Sequence, residues 1–434
     1  AAIDTGFSAS THAAVASAFN HANLASWPIN AFLVASMTMQ PLYGRSSDLL
    51  GRKIVYVTAS SIFVIGLLGS AFSPAWWSLI AARALCGLGS AGITTMGSVL
   101  LTDTVGLARR GYYQSLNYAV YGGGSALSSA IGGSIVQNLG WDWVFKIQIP
   151  ISMLALILLL SFIPHGMVPS NPVKPGESRV KVVLQRFDWL GSACLVLTLI
   201  SLFVFLTIGG NLYKWSHPLV LFAALLTVTA AACFVLVERK AKVQILPLYL
   251  LIKFPACNFM LAGYLTSLIN YTVLYNTTLF FQTVHLDTVQ DAGFRLLIPS
   301  VSFTISSCFT GFLIARRKSP ALTLRLGQSI VLCGAYGLVV MAAVSRRANV
   351  PDWMYDCMIA LPILGVGMLA SSTVMSLLNA TPAADQAVAN GTLIMMRSLG
   401  VFSATAFSTT ILQNVFLESL GEASLDNKTI QVSP

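Results

Sequence analysis

The stretch "YGRSSDLLGRK", residues 43–53, gathers charged side chains in a chain whose neighbouring segments are long and apolar. Its charged residues and glycines are Gly44, Arg45, Asp48, Gly51, Arg52 and Lys53. The glycines permit a tight turn and a close approach of two helices. The four-residue step from Asp48 to Arg52 allows an ion pair on one helical turn. The stretch is therefore either a specific motif or an ordinary loop whose charges only follow membrane topology.

The composition decides the broad class of protein. Only 9% of the 434 residues are charged and 56% are hydrophobic, whereas about a quarter of the residues in a soluble protein are charged. Apolar runs of the roughly 20 residues that cross a bilayer recur along the chain. These features predict an all-α polytopic membrane protein surrounded by a lipid bilayer. The seven cysteines form no Cys-x-x-Cys pair, and the sequence has no nucleophile–base pair or phosphate loop, so neither a metal site nor an enzyme is expected.

Thirteen apolar segments are predicted to be helices. They are 1–22, 25–43, 54–73, 76–103, 113–138, 143–163, 188–209, 217–237, 256–283, 293–315, 320–344, 353–378 and 386–416. Their polar breaks define five regions, which are a first lobe of six helices (1–164), a Pro-rich linker (165–187), two further helices (188–237), a connector (238–254) and a second lobe (255–434). The apolar middle of the connector is too short to span the membrane, so the connector is predicted to be cytoplasmic or interfacial.

The basic residues predict the orientation of these segments. Sixteen of the 25 Lys and Arg residues fall in the breaks 44–53, 104–112, 165–187, 238–253 and 316–319. Four lie in the opposite breaks and the C-terminal segment, so the positive-inside rule places the first set in the cytoplasm. The net charge of +10 is then a topology signal, and no nucleic-acid partner is expected. Asn427 begins an Asn-Lys-Thr sequence on the opposite side and is a candidate for N-glycosylation.

Several motifs resemble those of one transporter family. Residues 44–53 are similar to the loop 2–3 signature of the major facilitator superfamily, G-x-L-a-D-x-x-G-R-K, and lie between the second and third predicted helices. Further similar stretches are "ARALCGLGSAG" (82–92), "LTDTVGLARRGYYQSLN" (101–117), "DWLGS" (188–192), "LFFQTVHLDTVQDAGFRLLIPS" (279–300) and "DQAVANGTLIMMRSLG" (385–400). Together they resemble the fourteen-helix drug:proton antiporter branch. Within it, "LGWDWVFKIQIP" (139–150) and "NYTVLYNTTLFFQ" (270–282) are most similar to fungal vacuolar basic amino-acid transporters.

This resemblance implies a fold of two six-helix lobes with two helices inserted between them. About thirteen of the fourteen helices are visible, so the last is expected to be missing or trimmed. The resemblance also makes Arg83 the buried arginine of the fourth helix. It implies that Asp103 meets the 44–53 motif in a conformational latch at the cytoplasmic end. The residues that match the family's helix-five motif are Gly124, Gly132 and Gly133.

Asp4 is the acidic residue that is predicted to couple transport to protons. Ionisable side chains inside a membrane are costly and usually functional. By the resemblance, Asp4 corresponds to the acidic residue of the branch's D-x-T pattern, although Asp4-Thr5 is offset from that pattern by one. Because desolvation favours the protonated form of a lone carboxylate, Asp4 is predicted to hold a proton and a cation in turn, with Arg83 tuning that exchange. The alternative is a solvated Asp4 at the cytoplasmic entrance.

Polar and aromatic residues of the fifth and ninth predicted helices are candidates for the wall of a central cavity. They are Asn117, Tyr118, Tyr121, Asn270, Tyr271, Tyr275 and Asn276. Hydrogen bonding between helices is the alternative role for each. Amides and phenols around one acid suit an amino acid or an organic cation, because an anion would need more buried cations than Arg83.

The sequence thus predicts a proton-coupled antiporter that moves basic amino acids into the vacuole by alternating access. The proton gradient is the predicted energy source, no cofactor is expected, and the working unit is expected to be a monomer. A plasma-membrane exporter of drugs is the first alternative. A transport-inactive nutrient sensor is the second, because Ser129-Ala130 replaces the family's Gly-Pro pair and Asp142 stands where the branch has Arg.

Overall fold

The computed structural model of the chain describes residues 2–21, 24, 27–163, 188–210, 213–241, 244–283, 287–317, 319–345, 350–382 and 385–430. Over these residues the protein is an all-α bundle of sixteen helices, thirteen of them long. The predicted linker 165–187 and the side chain of the glycosylation candidate Asn427 lie outside the described part.

In chain order the helices are α1 (Ala2–Ala18), α2 (Trp27–Leu50), α3 (Arg52–Ala71), α4 (Trp76–Thr104), α5 (Leu107–Leu139), α6 (Trp143–Lys146), α7 (Gln148–Phe162), α8 (Trp189–Ile208), α9 (Pro218–Lys240), α10 (Tyr249–Ile252), α11 (Ala256–Thr283), α12 (Val289–Arg295), α13 (Leu297–Arg317), α14 (Ala321–Ser345), α15 (Asp352–Ala380) and α16 (Gln386–Ile430).

The predicted break at 44–53 is far shorter in the structure. Helix α2 continues to Leu50 and α3 begins at Arg52, so Gly51 alone separates them. The φ angle of Gly51 is 96°, a left-handed conformation that glycine adopts without strain. The prediction was wrong because charged residues spaced four apart support a helix, although they end an apolar run.

Two other helix ends differ from prediction for a related reason. Helix α4 runs to Thr104 and α5 begins at Leu107, so most of 104–112 is helical. Helix α16 continues beyond position 416 to Ile430. Both stretches are polar but contain good helix formers such as Leu, Ala, Arg and Glu, and a search for apolar runs does not register them.

Glycines let neighbouring helices approach closely within each half of the chain. A Cβ added at Gly66 of α3 would lie 2.6 Å from the backbone nitrogen of Cys86 on α4, and one at Gly334 of α14 would lie 2.5 Å from Cδ of Pro362 on α15. Small residues at helix contacts are how membrane helices pack, since lipid provides no hydrophobic force between them. The two halves meet where α5 packs on α13 and α2 packs on α16.

Eight helical segments of the described residues are long and apolar enough to cross a membrane. Helices α1, α2, α5, α11 and α16 do not belong to that set. All five line the central cavity described below. Helix α1 has only 17 residues, and the others carry polar residues, which a helix can present to a protein cavity without matching the lipid.

Helices α8 and α9 form a hairpin on the outside of this seam. Helix α8 packs on both α2 and α16. The connector that follows α9 is buried, with Ile245 and Leu246 1% exposed and Leu250 0% exposed. Leu246 belongs to an apolar cluster with Met37 of α2 and Leu195 of α8, so the connector packs the hairpin against the bundle.

Candidate functional site

A cavity of about 950 Å³ lies at the centre of the bundle. Helices α1, α2, α4 and α5 line one side of it, and α11, α13, α15 and α16 line the other. The wall extends to Leu24 and Trp27 at the junction of α1 and α2, and to Leu412 on α16. We call the end of the bundle that carries 44–53 the basic end. Leu24, Trp27 and Leu412 lie toward the opposite end, so the cavity reaches that end of the bundle.

The wall includes six of the seven residues that the sequence suggested for it. They are Asn117, Tyr118, Tyr121, Asn270, Tyr271 and Tyr275. The seventh, Asn276, is not a wall residue, because its amide group donates to Oγ of Ser408 at 3.0 Å and to the carbonyl of Thr272 at 2.9 Å. Asn276 thus joins α11 to α16, the alternative role of hydrogen bonding between helices.

Asp4 and Arg83 form an ion pair directly behind the wall. Nη1 of Arg83 donates to Oδ1 of Asp4 at 2.7 Å, and Nη2 donates to Oγ of Ser8 at 3.0 Å. Asp4 is 0% exposed and Arg83 is 2% exposed. Oδ2 of Asp4 has no hydrogen-bond partner among the described residues. Asp4 is thus neither solvated nor a lone carboxylate. Ser8 lines the cavity and is linked to Asp4 through Arg83, which bonds both residues.

The guanidinium of Arg83 also contacts aromatic rings. Its Cζ lies 4.8 Å from the centroid of the Phe32 ring and 5.6 Å from that of Phe145. Such contacts stabilise a cation that has been removed from water. Phe32 belongs to the cavity wall, so Arg83 is separated from the cavity by a single ring.

Hydroxyl groups of α1, α5 and α11 line the cavity at Thr5, Tyr121 and Tyr271. The hydroxyls of Thr5 and Tyr121 are 3.2 Å apart. Thr5 follows Asp4 in the chain, so this contact connects the segment that carries the ion pair to α5.

The cavity residues that sequence reasoning missed include two with ionisable side chains, His12 and Arg397. The imidazole of His12 stacks on Tyr275 with ring centroids 6.2 Å apart. Arg397 donates through Nη1 to the hydroxyl of Tyr118 and through Nη2 to the carbonyl of Ala370 at 2.7 Å. Each is an ionisable residue inside a predicted membrane helix, which is the signal that could have identified it.

The predicted latch residues are brought together at the basic end. Arg52 donates through Nη1 to Oδ1 of Asp48 at 2.6 Å and through Nε to Oδ2 of Asp103 at 3.0 Å. Arg52 also bonds the hydroxyl of Ser47. These contacts join the end of α2, the start of α3 and the end of α4. The remaining members are Gly44, which accepts from Ser47 at 2.7 Å, Lys53, which donates to the carbonyls of Leu160 and Ile163, and Arg45, which lies 3.8 Å from Asp48.

Hydrogen bonds between the two halves close the cavity at the basic end. The amide of Gln40 on α2 exchanges two hydrogen bonds with Ser398 on α16, at 2.9 and 3.0 Å. Asn390 donates to Ser98 at 2.7 Å. A third link of this kind runs from Arg110 to Gln386 at 3.0 Å. We call these three links the gate bonds.

Tyr249 ties the connector to α16 at the same end. Its hydroxyl donates to Oδ2 of Asp385 at 2.8 Å. Desolvation raises the pKa of Tyr249 to about 12, and the hydrogen bond and the negative charge of Asp385 add to the rise. Tyr249 therefore remains a donor at any physiological pH.

Two of the helix-five glycines, Gly124 and Gly132, face α1, which carries Asp4. A Cβ at Gly132 would lie 2.5 Å from Oγ of Ser10, whereas one at Gly124 would lie 3.5 Å from Cβ of Ala2. Gly133 is buried in the same helix. Gly132 is thus the position where close contact between α1 and α5 requires a glycine.

The sequence profile of the Major Facilitator Superfamily matches residues 1–405. The chain belongs to this superfamily. It is a multi-pass integral membrane transporter and not an enzyme.

Curated relatives from two yeasts cover nearly the whole chain. Vacuolar basic amino acid transporter 2 of Saccharomyces cerevisiae is 29% identical over 397 residues, which is 91% of this chain and 83% of that protein. Multidrug resistance protein fnx1 of Schizosaccharomyces pombe is 28% identical over 428 residues, which is 98% of this chain and 79% of that protein.

Solved structures of the same fold are more distant in sequence. The human organic anion transporter MFSD10 superposes with a TM-score of 0.62 at 14% identity and covers 94% of this chain and 92% of its own. An auto-inhibited POT family peptide transporter gives a TM-score of 0.63 at 13% identity, with 98% and 89% covered. These two comparisons establish the fold alone.

Proposed function

We propose that the protein exchanges protons for basic amino acids across the vacuolar membrane. The observation that carries this proposal is the buried pair of Asp4 and Arg83, which lies behind the cavity wall at Ser8 and Phe32. Among the residues that the structure describes, Asp4 is the one carboxylate directly behind the cavity wall. The names of the yeast vacuolar relatives support the choice of substrate.

The charge state of the Asp4–Arg83 pair determines whether the cavity accepts a cationic substrate. When Asp4 is ionised, its charge balances Arg83, and the cavity accepts a cationic substrate. When Asp4 binds a proton, the charge of Arg83 is no longer balanced and repels a cation across a short, poorly solvated distance. A proton and a cationic substrate therefore oppose each other's binding, which is the requirement for antiport.

The closed basic end fits an alternating cycle. Gln114, Ser376 and Asn390 lie near that end, and each has a buried side-chain atom without a hydrogen-bond partner among the described residues. Unpartnered polar atoms are costly in a permanently dry interior. We expect water to reach them when the gate bonds break and the cavity opens to the basic side.

The cavity wall offers groups for both ends of a basic amino acid. Arg397 is the guanidinium on the wall, and it retains N–H groups beyond those that bond Tyr118 and Ala370. Those groups suit the α-carboxylate of the substrate. The hydroxyls and rings of Tyr121, Tyr271 and Tyr275 suit an ammonium or guanidinium group.

Export of drugs is the second candidate function. It is favoured by the relative named for multidrug resistance and by the aromatic wall, which includes Trp27, Phe303 and Tyr275. Large, adaptable aromatic pockets accept unrelated apolar cations through ring contacts.

The test is counterflow in proteoliposomes that contain the purified full chain. We expect labelled lysine, arginine and histidine to exchange, and uptake to rise when the vesicle interior is acidified. Leucine and a lipophilic cationic drug are the controls. Exchange of the drug without exchange of lysine would favour the exporter, and binding of lysine without any flux would favour a sensor.

A further inference from the structure

A second group of buried carboxylates lies outside the cavity, where the α8–α9 hairpin meets α2. Glu238, near the end of α9, is 0% exposed. Its Oε1 accepts a hydrogen bond from the backbone N–H of Leu246 at 2.9 Å. Asp188 precedes α8 and caps it, because Oδ1 accepts from the N–H of Gly191 at 2.8 Å. Oε2 of Glu238 and Oδ2 of Asp188 are both buried and have no hydrogen-bond partner among the described residues.

These two unpartnered oxygens lie over the same glycine. A Cβ built on Gly191 would contact both Oδ2 of Asp188 and Oε2 of Glu238. Any side chain at this position would push the carboxylates apart. Two ionised carboxylates side by side and shielded from water repel each other strongly, and neighbouring acids relieve that repulsion by holding one proton between them.

The surrounding charge favours the same arrangement. Arg45 is the cation that acts on Glu238, and it also lies 3.8 Å from Asp48. Arg52 is already shared by Asp48 and Asp103. Among the residues that the structure describes, two guanidinium groups therefore face four carboxylates when Asp188 and Glu238 are counted, so the described part of the network has more negative than positive charge.

The other described groups near the pair do not supply positive charge. On α8 and α9 the titratable neighbours are the thiols of Cys194 and Cys233, which are neutral at physiological pH. Arg239 and Lys240 in the last turn of α9 are exposed to solvent. From residue 244 onward, the connector contributes a backbone N–H group to the pair, that of Leu246.

We propose that Asp188 and Glu238 share one proton, and that this proton site controls how firmly the α8–α9 hairpin and its connector hold the latch. Nε of Arg45 donates to the carbonyl of Gln244 in the connector at 2.6 Å. Loss of the shared proton adds a negative charge that draws Arg45 away from Gln244 and Asp48. The buried connector then loosens at the basic end, where Tyr249 ties it to α16 through Asp385.

Infrared difference spectroscopy of the full chain in lipid nanodiscs tests the proton directly. We expect a carbonyl band of a protonated carboxylic acid in the wild type at neutral pH. That band should be lost in Glu238→Gln and in Asp188→Asn, and should persist in the control Asp142→Asn. Glutamine and asparagine keep the size of the side chains and their acceptor oxygens, so both variants should fold. A band that is absent from the wild type, or unchanged in both variants, overturns the proposal.

Hydrogen exchange of the connector tests the consequence. After correction for the intrinsic rate, exchange of amides 244–252 should rise several-fold in alkaline buffer in the wild type. Glu238→Gln places an N–H donor against Asp188 and should abolish that rise. The same alkaline rise in Glu238→Gln and wild type would contradict the assigned control. Neither measurement needs a substrate, so both are independent of the proposed transport activity.

Discussion

Two networks of ion pairs in the first half of the chain, Asp4–Arg83 and Arg52–Asp48–Asp103, differ in how deeply they are buried. Behind the cavity, the side chains of Asp4 and Arg83 are 1% and 2% exposed. At the basic end, Arg52 is 7% exposed, but its partners Asp48 and Asp103 are 15% and 41% exposed. Both networks join different helices of the same lobe, and both use arginine.

The difference in burial assigns the two networks different tasks. A buried charge that loses its partner has no water to replace it, so the charge state of the Asp4–Arg83 pair must change together with the contents of the cavity. Water can reach the partners of Arg52 when that network opens, and exposed ion pairs are individually weak. The latch network can therefore break and re-form in every cycle without a large penalty.

Arg83→Met is expected to produce the largest effect, because it leaves Asp4 buried without a partner. We expect destabilisation of about 3–5 kcal/mol, the range for breaking a buried ion pair, measured as a lower midpoint of thermal unfolding in detergent. The double variant Asp4→Leu with Arg83→Met should recover much of that loss. A double variant as unstable as Arg83→Met alone would contradict the account of the pair.

Gly132→Ala displaces α1, which carries Asp4, without changing any charge. It therefore separates the effect of helix packing from the effect of charge at the buried pair. The added methyl group would lie 2.5 Å from Oγ of Ser10 and 3.1 Å from the Phe7 ring, and overpacking of this kind costs about 1–3 kcal/mol. Gly123 in the same helix has no atom within 4 Å of an added Cβ, so Gly123→Ala is the matched control. Equal unfolding midpoints for the two variants would argue against tight α1–α5 contact.

Arg52→Gln should act on rate and not on affinity, because Arg52 is not a residue of the cavity wall. Loss of charge-assisted hydrogen bonds worth ~1.5 kcal/mol predicts about a tenfold lower maximal transport rate. The half-saturating substrate concentration should remain the same. Arg239→Gln, an exposed cation at the same end, is the control. A changed half-saturation with an unaltered rate would remove Arg52 and Asp48 from the latch.

Asp142→Asn should have the smallest effect. Asp142 and Lys146 form an ion pair of adjacent turns with side chains 31% and 30% exposed, and such pairs contribute about 0.3–0.5 kcal/mol. Transport rate and unfolding midpoint should match those of the wild type. A large loss of transport would show that Asp142, which replaces the branch's arginine, has a role in the cycle.

The sequence was sufficient for the fold and for part of the cavity wall. Long apolar segments and the family motifs predicted the helices, and six candidate wall residues line the cavity, because polar residues in membrane helices have few alternatives to a cavity or a helix contact. Helix ends such as Leu50 were missed, since hydropathy does not detect polar residues that continue a helix.

The partnerships between distant residues could not be predicted from spacing. The contacts of Gln40 with Ser398 and of Glu238 with Asp188 depend on how helices from different parts of the chain pack together. Asn276 was wrongly predicted to line the cavity for the same reason. It is a polar residue next to the wall residue Tyr275 on α11, but its side chain faces α16.

The central claim is that Asp4 couples substrate movement to the proton gradient. The most direct test measures lysine-dependent proton movement, with a pH-sensitive dye inside proteoliposomes, for the wild type and for Asp4→Asn. The claim predicts proton movement in the wild type and none in Asp4→Asn when equal amounts of folded protein are reconstituted. Undiminished lysine-driven proton movement in Asp4→Asn would contradict it.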